Sequence, residues 1–254
     1  MPRLRMFACA AAALVLAAGA ATVAPRPASA AAAALAGDHI PTARGDLVVH
    51  PVNHASLLLG WGGKTIYVDP VGGAAAYAGL PAPDLILITD IHPDHLDAGT
   101  LSALSESAPI VAPQAVHDQL PAALQGRVQV LANGAATTVE GVPILAVPMY
   151  NTTPERAQFH TKGRGDGYVV TLGGKRVYIA GDTEPTAEMK ALKSIDVAFL
   201  PMNLPYTMTE EQAADAVKVF KPKIVYPYHY RGSDPKKFAA LVGTAAEVRV
   251  RNWY

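Results

Sequence analysis

The sequence predicts a mixed α/β (α+β) domain made of two similar β-rich halves packed sheet on sheet, with helices outside. Three observations predict it. Leu85–Ile88 is a continuous apolar run of β-formers and reads as a strand buried on both faces. Short strand-like runs and helical stretches follow one another along the chain. The segment Gly62-Gly63-Lys64-Thr65-Ile66-Tyr67-Val68 is echoed by Gly173-Gly174-Lys175-Arg176-Val177-Tyr178-Ile179, the same hairpin once per half.

Residues 1–30 are a separate object. Arg3 and Arg5 form a positive n-region, Met6–Ala21 an uncharged apolar h-region, and Ala28-Ser29-Ala30 a signal-peptidase site. The apolar run is short for a membrane span, so the stretch reads as a cleaved secretory signal and the protein as secreted or periplasmic. An uncleaved N-terminal anchor is the alternative. Cys9 is the only cysteine and lies in the h-region, which leaves the mature chain without thiolate ligands, disulfides or a cysteine nucleophile. Any metal must then sit on histidines and carboxylates. Basic and acidic residues number 21 each, and removing Arg3, Arg5 and Arg26 leaves the mature chain three charges negative. That balance argues against nucleic acid or an anionic membrane as the main partner, and for a small-molecule substrate.

The domain itself is expected over 46–254, after a flexible leader at 31–45. Asp46–Val52 reads as the first strand, and Ser56–Trp61 with Lys64–Asp69 as a hairpin across Gly62-Gly63. After the central strand come a helix over Ala98–Ser107, a strand over Ile110–Ala112 and a short helix over Pro113–Leu120. Val128–Leu131, Thr137–Glu140 and Ile144–Val147 continue as strands, and Tyr150–Asp166 is a polar loop. Tyr168–Leu172 and Lys175–Ala180 form the second hairpin, and Pro185–Lys193 a helix with Pro near its start. Val197–Leu200 is a buried strand, and Thr209–Phe220 a helix with Glu210 and Glu211 in its first turn. A strand at Ile224–Tyr226, a helix at Pro235–Val242 and a strand at Val248–Val250 complete the chain.

Chemistry concentrates directly after the central strand. Asp90, His92, Asp94 and His95 leave the end of a buried strand within six positions, Pro93 stiffens the loop, and Asp97 can cap the next helix. Such a charged cluster is costly to desolvate unless a cation neutralises it, so the loop reads as a metal site rather than a polar turn. Three later strand ends or strand-flanking loops offer further donors: His160 in Phe159-His160-Thr161-Lys162-Gly163, Asp182 in Gly181-Asp182-Thr183, and His229 in Tyr228-His229-Tyr230. Gly181 allows close backbone approach, so the Asp182 carboxylate can lie between two cations. The competing readings are an exposed loop histidine, a helix N-cap and a histidine stacked among tyrosines. His39, His50 and His117 have no companion motif and read as structural or exposed.

The loop Asp90-x-His92-x-Asp94-His95 resembles the signature H-x-H-x-D-H of the metallo-β-lactamase superfamily, with the first His replaced by Asp. The Gly181-Asp182-Thr183 and His229 motifs follow in the family's chain order. The resemblance implies a four-layer αββα sandwich, with the site along one edge between the sheets. It implies two divalent cations, zinc first and Mn or Fe as alternatives. Asp90, His92 and His160 hold one, Asp94, His95 and His229 the other, and Asp182 bridges them together with a shared water or hydroxide. Asp94 and Asp182 are the catalytic pair in that reading. Asp90 makes the first site oxygen-richer, which favours Mn or Fe there. His54 is an outer partner to these ligands. Lys162, Arg164, Tyr206 and Tyr228 are substrate contacts by position. Lys162-Gly163-Arg164-Gly165 and Met208–Ala213 further resemble the branch of L-ascorbate-6-phosphate lactonase-like and N-acylphosphatidylethanolamine phospholipase D-like enzymes. The function implied is metal-dependent hydrolysis of an ester, lactone or phosphodiester bond. The alternatives are a secreted metal-containing binding protein without turnover, and a β-lactamase.

Overall fold

Each half begins as an antiparallel meander and ends as a set of parallel strands. In the first, β1 (Asp38–Thr42), β2 (Gly45–Asn53), β3 (Ser56–Trp61) and β4 (Lys64–Val68) pair antiparallel. Then β5 (Leu85–Leu87), β6 (Ile110–Ala112) and β7 (Val128–Val130) add in parallel. In the second, β8 (Ala136–Val139), β9 (Val142–Met149), β10 (Gly165–Leu172) and β11 (Lys175–Ile179) are antiparallel. There β12 (Val197–Pro201), β13 (Ile224–Tyr228) and β14 (Glu247–Val248) are parallel. The computed structural model describes residue 1 and residues 35–254, so the stretch read as a secretory signal lies outside the described residues.

The repeated Gly-Gly-Lys hairpins are β3–β4 and β10–β11, and the strand after each turn is where antiparallel pairing gives way to parallel. Parallel neighbours need crossovers, so the helices all come after that switch. They are α1 (Ala98–Leu104), α2 (Gln114–Gln119) and α3 (Ala122–Gln125) in the first half, and α4 (Ala187–Ala191), α5 (Glu210–Phe220) and α6 (Pro235–Val242) in the second.

The alternation of side chains along each strand builds the layers. Leu57 and Leu59 of β3, with Leu85 and Leu87 of β5, meet Tyr168, Val170, Val177 and Ile179 of the other sheet in one buried cluster. Leu58 and Ile86 point the other way, onto Leu101 and Val116 of α1 and α2. Tyr178 and Val225 face Met189, Val217 and Phe238 of α4 to α6. The result is helix, sheet, sheet, helix. Each fully buried Leu or Ile contributes roughly 1.5–3 kcal/mol. The capping box of α5 fixes its start, with Thr209 Oγ1 accepting from Gln212 N–H and Gln212 Oε1 accepting from Thr209 N–H.

Part of the leader expected to be loose is a strand. Residues 38–42 pair with β2, Ile40 is buried, and Asp38 accepts hydrogen bonds from Tyr226 Oη and Arg251 Nε. One inward apolar residue among polar neighbours is too weak a pattern to read as a strand. The first helix is also shorter than expected, ending at Leu104 with Ser105 as its extended cap. Among the described residues no helix is long and apolar enough to cross a membrane.

Candidate metal centre

The loops that leave the C-terminal ends of β4, β5, β11, β12 and β13 gather at one edge between the sheets. This is where open α/β sheets place their ligands. All seven residues read as ligands converge there. Asp182 lies at the middle: its Oδ2 is 3.4 Å from His95 Nε2 and 3.3 Å from His160 Nε2, and its Oδ1 is 3.4 Å from His229 Nε2. Asp94 Oδ2 is 3.2 Å from His229 Nε2. Asp90 Oδ2 is 2.7 Å from His92 Nδ1 and 3.7 Å from His160 Nε2.

Local backbone explains the convergence. Gly181 has φ +64°, and a Cβ there would collide with Met149 Sδ, so only glycine lets β11 turn Asp182 into the site. Asp182 caps no helix; the N-cap of α4 is Thr186, whose Oγ1 accepts from Met189 N–H. His54, Asp69 and His229 all carry positive φ, of 53°, 44° and 47°. Each is held there by tertiary bonds: His229 N–H donates to His54 O at 3.2 Å, and His54 N–H to Trp253 O at 2.9 Å. Left-handed backbone at such positions is stored strain of the kind found at functional sites.

The donor atoms fall into three sets close enough to share an ion: Asp90, His92 and His160; His95, Asp182 and His229; and His54, Asp94 and His229. Among buried polar atoms lacking a hydrogen-bond partner are His95 Nε2, His160 Nε2 and Asp182 Oδ1. Buried polar atoms without partners are costly, and these three belong to one cluster. A set of imidazole nitrogens and carboxylate oxygens also suits zinc, manganese or iron. The residues therefore fit divalent cations.

Supporting groups fix two of the imidazoles. Asp69 is buried and accepts from His95 Nδ1 at 2.8 Å, from Thr89 N–H at 2.7 Å and from Thr89 Oγ1 at 2.6 Å. His95 therefore aims Nε2 at Asp182. His160 Nδ1 donates to Tyr206 O at 3.1 Å, which frees its Nε2 for the site. Asn151 Nδ2 donates to the same carbonyl at 2.6 Å. Glu184, fully buried, accepts from the N–H groups of Thr152 and Thr153 and from Arg156, and so anchors the loop that carries His160.

Electrostatics separates the carboxylates. Burial alone would raise the Asp182 pKa, but the imidazoles of His229, His95 and His160 around it hold it well below the usual range. Burial opposes and hydrogen bonds from His229 and His54 lower Asp94 in the same way. At Asp69 burial wins and the pKa rises. His95 is pushed well up, because Asp182 and Asp69 flank it and outweigh burial.

His54 lies where an outer partner was expected: its Nε2 is 3.2 Å from Asp94 Oδ2, its ring 3.7 Å from that of His229, and its Nδ1 2.7 Å from Tyr254 Oη. Other positions differ from expectation. Of the four residues placed at the substrate, Tyr206 alone lines the cavity at the site. Tyr228 is fully buried in the inter-sheet core, where its Oη accepts from Gly181 N–H. Arg164 is committed to Asp90, with Nε 3.2 Å from Oδ1 and Nη2 3.0 Å from Oδ2. Lys162 pairs with Glu188 at 3.1 Å and sits over the Tyr150 ring. His39, His50 and His117 bond Asp46, Ala36 O and Asp118, away from the centre. Sequence reading missed Asp69, Glu184, Asn151 and Tyr254.

With this geometry in hand, comparison with known proteins is direct. Residues 49–229 match the model of the Beta-lactamase superfamily domain. A UPF0173 metal-dependent hydrolase of Pyrococcus abyssi is 36% identical over 204 residues, covering 74% of this chain and 89% of that protein. A crystal structure assigned to a metal-dependent hydrolase of Parabacteroides distasonis superposes with TM-score 0.78 at 42% identity, over 85% of this chain and 98% of that one. A metallo hydrolase of Ignicoccus hospitalis gives TM-score 0.68 at 26% identity, over 80% and 94% of the two chains. Fold, site position and sequence agree: the chain belongs to the metallo-β-lactamase superfamily.

Proposed function

We propose that this metal-dependent hydrolase works through two divalent cations, zinc first, to cleave an ester, lactone or phosphodiester bond. Asp90, His92 and His160 would hold one and Asp94, His95 and His229 the other, with the Asp182 carboxylate between the two donor sets. The observation that carries the reading is the convergence of three unpartnered buried atoms, His95 Nε2, His160 Nε2 and Asp182 Oδ1, within one cluster of imidazoles and carboxylates. Divalent cations in such a cluster acidify water toward neutrality and polarise the substrate's oxygen.

The chain's own residues do the rest. Asp94 is the ligand with an open face, its side chain 41% exposed on the cavity wall, so it orients the attacking water. Asp69 keeps His95 Nδ1 protonated and its Nε2 free. His54 steadies Asp94 from beside His229, the Nε2 atoms of both rings reaching the same Oδ2 at 3.2 Å. The leader supports secretion, which the N-terminal mass of the exported protein tests.

One observation favours a one-ion version: Arg164 already neutralises Asp90. Elemental analysis of the purified protein decides. About two equivalents of Zn, Mn or Fe support the two-ion reading, and about one supports a single ion at His95, Asp182 and His229. No uptake on reconstitution overturns the metal assignment. Asp94→Asn and His229→Ala are expected to abolish turnover with an unchanged circular dichroism spectrum. Retained turnover in both would overturn the catalytic reading.

A further inference from the structure

The centre opens into a cavity of about 330 Å³. Among the described residues its wall consists, besides five metal-site residues, of Pro93, Phe159, Asn203 and Tyr206, with no Lys or Arg. Phe159 and Tyr206 meet edge to face with ring centroids 5.0 Å apart, and Tyr206 and neighbouring Leu204 are 45% and 44% exposed. The nearby cations Arg164, Lys162 and Arg231 do not line the cavity. Arg164 forks onto Asp90 and also donates to Phe159 O, and Lys162 is held by Glu188. Arg231 lies 5.1 Å over the Tyr254 ring. Asn203 is the neutral donor: its carboxamide makes no hydrogen bond among the described residues, while its backbone holds the 203–207 turn.

Resting on the hydrolase reading above, we propose that the substrate is an uncharged carboxylic ester or lactone whose apolar part seats on Phe159 and Tyr206, and not a phosphoester. Beyond the cations of the hydrolase reading, a phosphodiester's charged oxygens would meet no cationic side chain on the wall, whereas arginine forks and lysines are the usual phosphate partners. An acyl chain or aryl group instead finds aromatic surface at the mouth. In the reaction the oxygen of water bonds to the carbonyl carbon and the C–O bond to the alkoxy group breaks. One proton of that water passes to the departing alkoxide, giving acid and alcohol. This sets aside the phosphate-bearing substrates that the Lys162–Gly165 motif suggested, because both its cations are engaged with carboxylates.

The test uses the zinc-loaded full chain with 4-nitrophenyl acetate, 4-nitrophenyl hexanoate and bis(4-nitrophenyl) phosphate. The hexanoate is expected to be preferred over the acetate in kcat/KM by ~10-fold or more, and the ratio to fall toward unity in Phe159→Ala and Tyr206→Ala. Calorimetric titration of metal-free protein with hexanamide should show weaker binding in the same variants. A flat chain-length profile that the variants do not change overturns the proposal. So does saturable turnover of the phosphodiester above that of the esters, which leaves the hydrolase reading standing. Turnover of none of the three overturns that reading and the proposal with it.

Discussion

The two halves run the same hairpin to different ends. After Gly62-Gly63, β4 ends at Val68 and Asp69 follows; after Gly173-Gly174, β11 ends at Ile179 and Asp182 follows three residues on. Both aspartates are buried and both address His95, Asp69 at Nδ1 and Asp182 at Nε2. Yet burial raises the pKa of Asp69, while Asp182, beside three imidazoles, is held well down. The segment after the strand thus provides a brace in one half and a candidate ligand in the other. What differs is the company: Asp69 faces Thr89 and one histidine, Asp182 faces histidines from three loops.

Breaking the pair should give unequal losses. Asp182→Asn is expected to lower kcat/KM by roughly 10³-fold or more, because it removes the carboxylate between the donor sets. Asp69→Asn, which only loosens His95, should cost about 10–100-fold in metal affinity or rate. Equal losses, read from zinc titration and steady-state kinetics, would show that the two are not brace and ligand.

Next in size is the ion pair that sets the first donor group apart. Arg164→Met leaves Asp90 buried without its guanidinium and should destabilise the metal-free protein by about 3–5 kcal/mol in urea unfolding. A cation bound by Asp90, His92 and His160 would restore about 2.7 kcal/mol at a hundredfold excess over its Kd. No restoration by zinc would mean that this set takes no ion.

The hairpins themselves differ too. Gly62 and Gly173 have φ of 60° and 58°, but a Cβ at Gly62 meets open space while one at Gly173 meets Thr42 and Trp61. Gly62→Ala should cost about 1–2 kcal/mol for its left-handed backbone, and Gly173→Ala roughly 1–3 kcal/mol more for the clash. Urea midpoints of the two variants measure the gap directly.

Asp166 is the control, a buried aspartate with no histidine partner. Burial pushes its pKa up to about 7, opposed only by a hydrogen bond from Asn133. The folded state therefore binds a proton that the unfolded state has released. The associated stability is full below about pH 4 and is lost as pH rises toward 7. Asp166→Asn should flatten that slope by on the order of 1 kcal/mol, seen as a smaller Tm difference between pH 4 and pH 8.

Much of this was legible before the structure. Leu85–Ile88 had to be buried on both faces, and the acid–histidine loop after it had no other economical use. His160, Asp182 and His229 stood out as donors at strand ends or in a strand-flanking loop, and the family resemblance supplied their order. Asp69 was hidden because Val68-Asp69-Pro70 reads as an ordinary strand exit. Its role needs β4 beside β5, where Asp69 N–H donates to Leu87 O at 2.9 Å. The hairpin echo held a clue, since the loop after the matching strand carries Asp182. Arg164 looked like a substrate contact because its partner lies 74 residues earlier. Tyr228 looked available because strand polarity alone does not say that its side chain points between the sheets.

The separation along the chain of the groups around Asp94 also sets when the centre comes into being. His54 reaches Tyr254 across 200 residues, and Asp94 reaches His229 across 135. Contacts of such span close late, since the loop entropy must be met before the contact rewards it. During synthesis the loop from Asp90 to His95 emerges with four donors, long before Asp182 and His229 exist to complete the set. Ion capture is then a report of finished folding and not its nucleus. In refolding with Co²⁺, the visible absorption of the bound ion should trail the burial of Trp253.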